Sequence, residues 1–276
     1  MTKYLIVNSD DYGISEGVSR GILEAHHNGI VTSTSVMVNM PYAAEAITTA
    51  QQIAPQLGLG LHFVLSFGEP ISPPEKVPSL VTEAGTFVST LDDLREKSPS
   101  FTSDDLATEL NAQFRRFVEL AGTNPDHIDS HHAINYNHPV AYEIMLMIAQ
   151  KHNLPYRRPQ WLDDKQDLDE NFISTINALH EKYGQPMCPD FTVNSTAFWD
   201  RRSRIEPLRQ AITNTQDGYT EILCHVGYGA NLNELYNIQR EDELATFIHP
   251  EIVAMVKDDP KFQLIRFSDL PSKRLA

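Results

Sequence analysis

Short apolar runs and longer amphipathic stretches alternate along this chain from end to end. Tyr4-Leu-Ile-Val-Asn8 is a continuous apolar run, as expected of a strand covered on both faces. The period then changes: between Ser15 and Asn28, Val18, Ile22 and Ala25 share one helical stripe, and Gly29 supplies a stop. A β-branched run at 31–38, a helix near 42–53 and an apolar run at 59–65 follow. The spacing of Leu106, Leu110, Phe114, Phe117 and Val118 predicts a long helix over 104–120, with Ser103 as its N-cap. In the second half, strands are expected around 126–130, 154–157, 191–193, 220–225 and 263–267. Helices are expected near 140–151, 169–183, 205–214 and 241–256.

About eight strand–helix alternations predict an α/β fold, a parallel sheet closed into an irregular, TIM-barrel-like (β/α) barrel. An open doubly wound sheet is the competing arrangement, and both put chemistry at the carboxyl ends of the strands. One segment breaks the rhythm: between Ser66 and Phe101 stand Pro70, Pro73, Pro74, Pro78 and Pro99. This Pro-rich loop insertion is expected to be either a surface excursion or a lid over the site. No repeat or linker marks a second domain, so residues 1–276 read as a single barrel domain.

Composition narrows the partners more than the chemistry. The 276 residues carry 22 Lys and Arg against 37 Asp and Glu, a net charge of −15. That balance argues against a nucleic-acid backbone or an anionic membrane as partner, but it leaves neutral substrates open. Cys188 and Cys224 form no spaced framework, and the apolar start is too short for a secretory leader. A cytoplasmic protein is the expectation.

Polar residues gather at the predicted strand ends. The first strand runs into Asp10-Asp11-Tyr-Gly13, where Gly13 permits a turn that could aim both carboxylates into a pocket; a solvated turn before a helix is the alternative. His62 interrupts an apolar strand. In His127-Ile-Asp129-Ser-His131-His132, period two puts His127, Asp129 and His131 on one face, and the acid could orient a ligand imidazole. His225 ends a late strand. Asp11, His62 and His131 come from three strand ends on one rim, and a carboxylate with two imidazoles suits a divalent metal used for hydrolysis. His26, His27, His152 and His180 are expected to be solvated on helices, and His138 to start a helix or reach the site. Arg157 or Arg158 could face substrate.

Together, Ile6-Val-Asn-Ser-Asp-Asp-Tyr-Gly13, Gly29-Ile-Val-Thr-Ser-Thr-Ser-Val-Met-Val-Asn39, Gly60-Leu-His-Phe-Val-Leu65 and Asp129-Ser-His-His132 resemble the YdjC-like carbohydrate deacetylases, most closely the chito-oligosaccharide deacetylases. The resemblance implies a distorted (β/α) barrel, usually magnesium with zinc as the other candidate, and commonly a homodimer. It also implies removal of acetyl groups from N-acetylated sugars. It matches Asp11, His62 and His131 to metal ligands, Asp10 to the catalytic base and His225 to the general acid. Two positions depart from the family: Ala133 stands where a third histidine is usual, and Val226 where proline is common. Ala133 is expected on the same side as His131.

The expected function is metal-dependent deacetylation of N-acetylglucosamine oligosaccharides, by attack of a metal-activated water on the acetyl carbonyl. Two alternatives stay open on the residues: a metal-dependent hydrolase of another ester or phosphoester, and a sugar-binding protein without turnover.

Overall fold

Leu5, Ile6 and Val7 are completely buried, so the first strand needs neighbours on both edges and cover on both faces. β1 (Lys3–Tyr12) obtains its neighbours from parallel β2 (Ser33–Val36) and β6 (Gly218–Cys224). β7 (Phe262–Leu264) lies alongside Lys3, Tyr4 and Leu5. β3 (Gly58–Phe63) and β4 (Ile128–Ser130) extend the sheet past β2, and β5 (Phe191–Asn194) extends it past β6. The order is therefore β4-β3-β2-β1-β6-β5, with every pairing parallel. Parallel neighbours require crossovers, and helices supply them. The result is a curled, incomplete (β/α) barrel, in keeping with the irregular barrel expected. This computed structural model describes residues 2–159, 170–184, 187–198, 204–229 and 237–271.

The helices are α1 (Glu16–Asn28), α2 (Ala43–Ile53), α3 (Leu91–Lys97), α4 (Ser103–Ala121), α5 (Ile134–Asn137), α6 (Pro139–His152), α7 (Glu170–Tyr183), α8 (Ile205–Thr213), α9 (Asn237–Phe247) and α10 (Pro250–Asp258). Ser15 caps α1, its hydroxyl accepting from the Val18 N–H at 3.2 Å. The cap of α4 is Thr102, not Ser103: the Thr102 hydroxyl accepts from Asp105 N–H at 3.3 Å. The helix expected over 241–256 is two helices, because Pro250 has no N–H to continue the first and instead starts the second. His249 caps that second helix, accepting from Glu251 N–H. The strand signal at 154–157 reduces to one parallel bridge between Tyr156 and Ile128. Asp169, expected to open α7, lies outside the described residues. No helix among the described residues is long and apolar enough to cross a membrane.

The insertion at 66–101 is packed rather than detached. Val77, Leu80, Phe87 and Leu94 are buried in the main core. The fully buried Glu109 of α4 turns its two oxygens to the insertion, accepting from Ile71 N–H and Ser72 N–H at 2.9 Å each. Gln113, one turn on, brackets Val64 with both amide atoms, at 2.9 and 2.7 Å. We expect Glu109→Ala, which strands two amide donors, to lower stability by about 1–3 kcal/mol. Urea unfolding with an unchanged m-value would check it.

Candidate active site

Adjacent carboxylates on a regular strand would face opposite ways, yet both approach the same histidine nitrogen. The pairing of β1 with β2 slips between Ser9 and Tyr12, and Asp11 adopts φ 71°. This left-handed kink is uncommon outside glycine. It brings Asp11 Oδ1 to 3.4 Å and Asp10 Oδ2 to 3.9 Å from the same nitrogen, His62 Nε2. The kink thus falls inside the strand, at Asp11, and Gly13, itself left-handed at φ 88°, makes the turn expected of it two residues later.

His62 sits opposite Asp129 in the β3–β4 register. Its Nδ1 donates to Asp129 Oδ1 at 2.6 Å, which fixes the ring and aims Nε2 at Asp11. His131 follows β4 and places Nδ1 3.2 Å from Asp11 Oδ1, its ring edge-on to His62. One ligand atom each from Asp11, His62 and His131 lies within 4.8 Å of the others, and all three residues are buried. Among the described residues, His62 Nε2 and Asp11 Oδ1 make no well-aligned hydrogen bond. Buried atoms of this kind are normally satisfied, and two imidazoles with a carboxylate form a donor set that fits a divalent cation. Asp10, His62 and Asp129 converge just as closely. There, however, a guanidinium already pairs with both carboxylates.

That guanidinium is Arg157, and it is buried. Nη1 and Nη2 grip the two oxygens of Asp10 at 2.8 and 2.6 Å, Nη2 lies 2.9 Å from Asp129 Oδ2, and Nε donates to Glu221 Oε1 at 2.8 Å. Asn8 Nδ2 adds a bond to Asp10 Oδ1 at 2.9 Å. A second buried cation, Arg240 of α9, donates to Asp11 Oδ2 at 2.6 Å and leaves Oδ1 for the pocket. Burial alone would raise the Asp11 carboxyl, but Arg240, followed by His131 and His62, holds it well below the usual range. Burial likewise opposes ionisation of Asp129, and Arg157 with His62 outweighs it. At Glu221 burial prevails over Arg157, and the carboxyl is raised. Burial works against a charge on His62, while Asp129 and Asp10 pull its pKa up to about 10. At His132, burial and then His131 push it down to about 3.

His225, just past β6, puts Nε2 3.9 Å from Asp10 Oδ2. Its backbone N–H donates to Glu243 Oε2 of α9 at 2.5 Å, and the Ser195 hydroxyl donates to the other oxygen of Glu243.

A family model described as YdjC-like protein matches residues 4–258. The chain belongs to the YdjC-like family. A protein of Brevibacillus brevis named carbohydrate deacetylase is 34% identical over 267 residues, covering 96% of this chain and 99% of its own. One of Proteus mirabilis named chitooligosaccharide deacetylase is 44% identical over 186 residues, 66% of this chain and 70% of its own. A crystal structure from Enterococcus faecalis V583, described as a candidate cellobiose-phosphate cleavage protein, superposes with a TM-score of 0.80. It is 29% identical and covers 98% of this chain and 99% of that one.

All five residues singled out from the sequence of this YdjC-like protein, Asp10, Asp11, His62, His131 and His225, therefore lie in one cluster. Other expectations are corrected. Arg157, one of the two arginines that could face substrate, is not a surface residue but the buried counter-ion of three carboxylates, Asp10 among them. Ala133 does not continue the face of His131, because the strand ends at Ser130 and the chain turns left-handed at His132 and Ala133, which exposes Ala133. His180 is not solvated but buried, bonded through Nε2 to the Tyr142 hydroxyl at 2.8 Å. His138 starts a helix, accepting from Ala141 N–H at the head of α6. Sequence reasoning missed Arg240, Glu243 and Glu221. Glu221 interrupts the apolar run of β6, and Arg240 and Glu243 share one face of α9 at a spacing of three; buried charge in such places was the available signal.

Proposed function

We propose that this chain is a metal-dependent carbohydrate deacetylase that hydrolyses the acetamide of N-acetylated sugars, with chitin-type N-acetylglucosamine oligosaccharides as the substrate class. The observation that carries the reading is the convergence of two buried ligand atoms without good hydrogen bonds, His62 Nε2 and Asp11 Oδ1, beside His131. The names of the relatives point to the same substrate class. Asp11, His62 and His131 would hold the cation, magnesium in the first instance with zinc as the alternative, and it would supply Lewis acidity to an amide carbonyl.

The other residues handle protons and orientation. Asp10 is the base for the attacking water, its carboxylate fixed by Arg157 and Asn8 next to the ligand atoms. His225, across from Asp10, donates a proton to the departing sugar amine. Arg157 and Arg240 offset the local excess of carboxylates, so the pocket can hold a neutral sugar without a basic surface. The larger of the two apolar clusters among the described residues runs from Leu5 to Phe262, which supports reading 1–276 as one catalytic unit.

Acetate release from N-acetylglucosamine oligomers, run beside an acetylated xylan and a phosphomonoester, tests the reading. Acetate from the amide substrate is the expected result. Hydrolysis of the phosphomonoester alone would replace the reading with the phosphoesterase alternative. Sugar binding without release would favour a lectin-like role.

A further inference from the structure

Past the ligand residue His131, the backbone spends two consecutive non-glycine residues, His132 and Ala133, in the left-handed region, with φ 54° and 56°. L-residues adopt that conformation at a cost, and such outliers concentrate at ligand-contacting sites. Here the turn stacks the His132 ring on His131 at 3.9 Å. It also puts His132 Nδ1 2.9 Å from the hydroxyl of Ser66, a fully buried residue shortly beyond the end of β3. One ring nitrogen is thus tied to the scaffold. His132 itself is only half-buried, whereas Asp11, His62 and His131 are buried. It is therefore less enclosed than the ligand residues it stands beside.

The geometry points to His132 as a substrate-positioning residue. In that role the Ser66 hydroxyl donates to Nδ1, the ring proton sits on Nε2, and that N–H is offered to an oxygen of the bound sugar. The inference rests on the deacetylase reading and adds to it a polar contact outside the five residues of the reaction itself. It also gives a reason for the two strained residues: a regular continuation of β4 would turn position 132 to the opposite side from His131.

Two substitutions separate positioning from support. Asparagine tolerates left-handed backbone and can keep the bond to Ser66, but it ends short of the Nε2 position. Glutamine reaches that position and can restore the distant donor. With N-acetylglucosamine oligomers, His132→Asn should lower kcat/KM about tenfold, mostly through KM, with metal affinity unchanged. His132→Gln should recover much of that loss. The reverse order, a near-normal Asn variant and an impaired Gln variant, would assign His132 a purely structural role. Loss of metal affinity in His132→Asn would likewise overturn the inference. If the wild-type protein released no acetate, the functional reading would fall first and this inference with it.

Discussion

Replacing Asp10 with asparagine should remove most turnover while leaving the metal in place. The substitution is nearly isosteric and keeps an oxygen for Arg157 and Asn8 to hold, but an amide cannot take a proton from water. A positioned general base is typically worth about 10²–10⁴-fold in rate, and a loss in kcat of that size is expected. Asp10 is separate from the ligand set, since the cluster of Asp11, His62 and His131 closes without it. Equilibrium metal binding should therefore match the wild type. Normal kcat in Asp10→Asn with a full complement of metal would move the base to another residue.

The largest effect on stability is expected at Arg157. This buried guanidinium faces Asp10, Asp129 and Glu221 at once. Arg157→Met preserves much of the side-chain length but leaves buried carboxylates without their cation, a change that typically costs about 3–5 kcal/mol. The deficit should depend on pH in a definite direction. Asp129 has a pKa below its unfolded value, chiefly because Arg157 outweighs burial. Its contribution is therefore present above the ordinary carboxylate pKa and is lost as pH falls toward the depressed one. Without Arg157 the carboxyl takes up a proton more readily, so the gap between variant and wild type should narrow from pH 8 to pH 5. Arg157→Lys should recover only part of the loss, because an ammonium cannot span three carboxylates as a planar fork does. Denaturant midpoints at the two pH values measure both effects; a uniform, pH-independent deficit would indicate lost packing instead.

The legible parts of the fold were those with a strong period. The alternation at β1, α1, β3 and α4 read correctly because burial on one or both faces leaves a pattern in apolar positions. The split between α9 and α10 was written in Pro250 and was overrun by a stripe that continues past it. At the site, Asp10, Asp11, His62, His131 and His225 were legible because each is a polar residue where a buried strand ends. The kink at Asp11 was less so, since aspartate does not announce a left-handed backbone as glycine does. Arg240 and Glu243 were hidden for another reason. On an isolated helix a charged pair three apart reads as a solvated face, and only tertiary packing turns that face inward onto Asp11 and the His225 backbone. The left-handed turn at His132 defeated the period-two extrapolation and, with it, the placement of Ala133.

The central claim is that Asp11, His62 and His131 hold one divalent ion on which deacetylation depends. The most direct test measures ion stoichiometry and acetate release on the same samples: wild type as purified, wild type stripped with chelator and then reloaded, and His62→Ala. The account predicts one ion per chain in the wild type, acetate release lost on stripping and restored by the ion, and neither tight binding nor release in His62→Ala. Acetate release that persists in the stripped protein, or tight binding of the ion by His62→Ala, would contradict it.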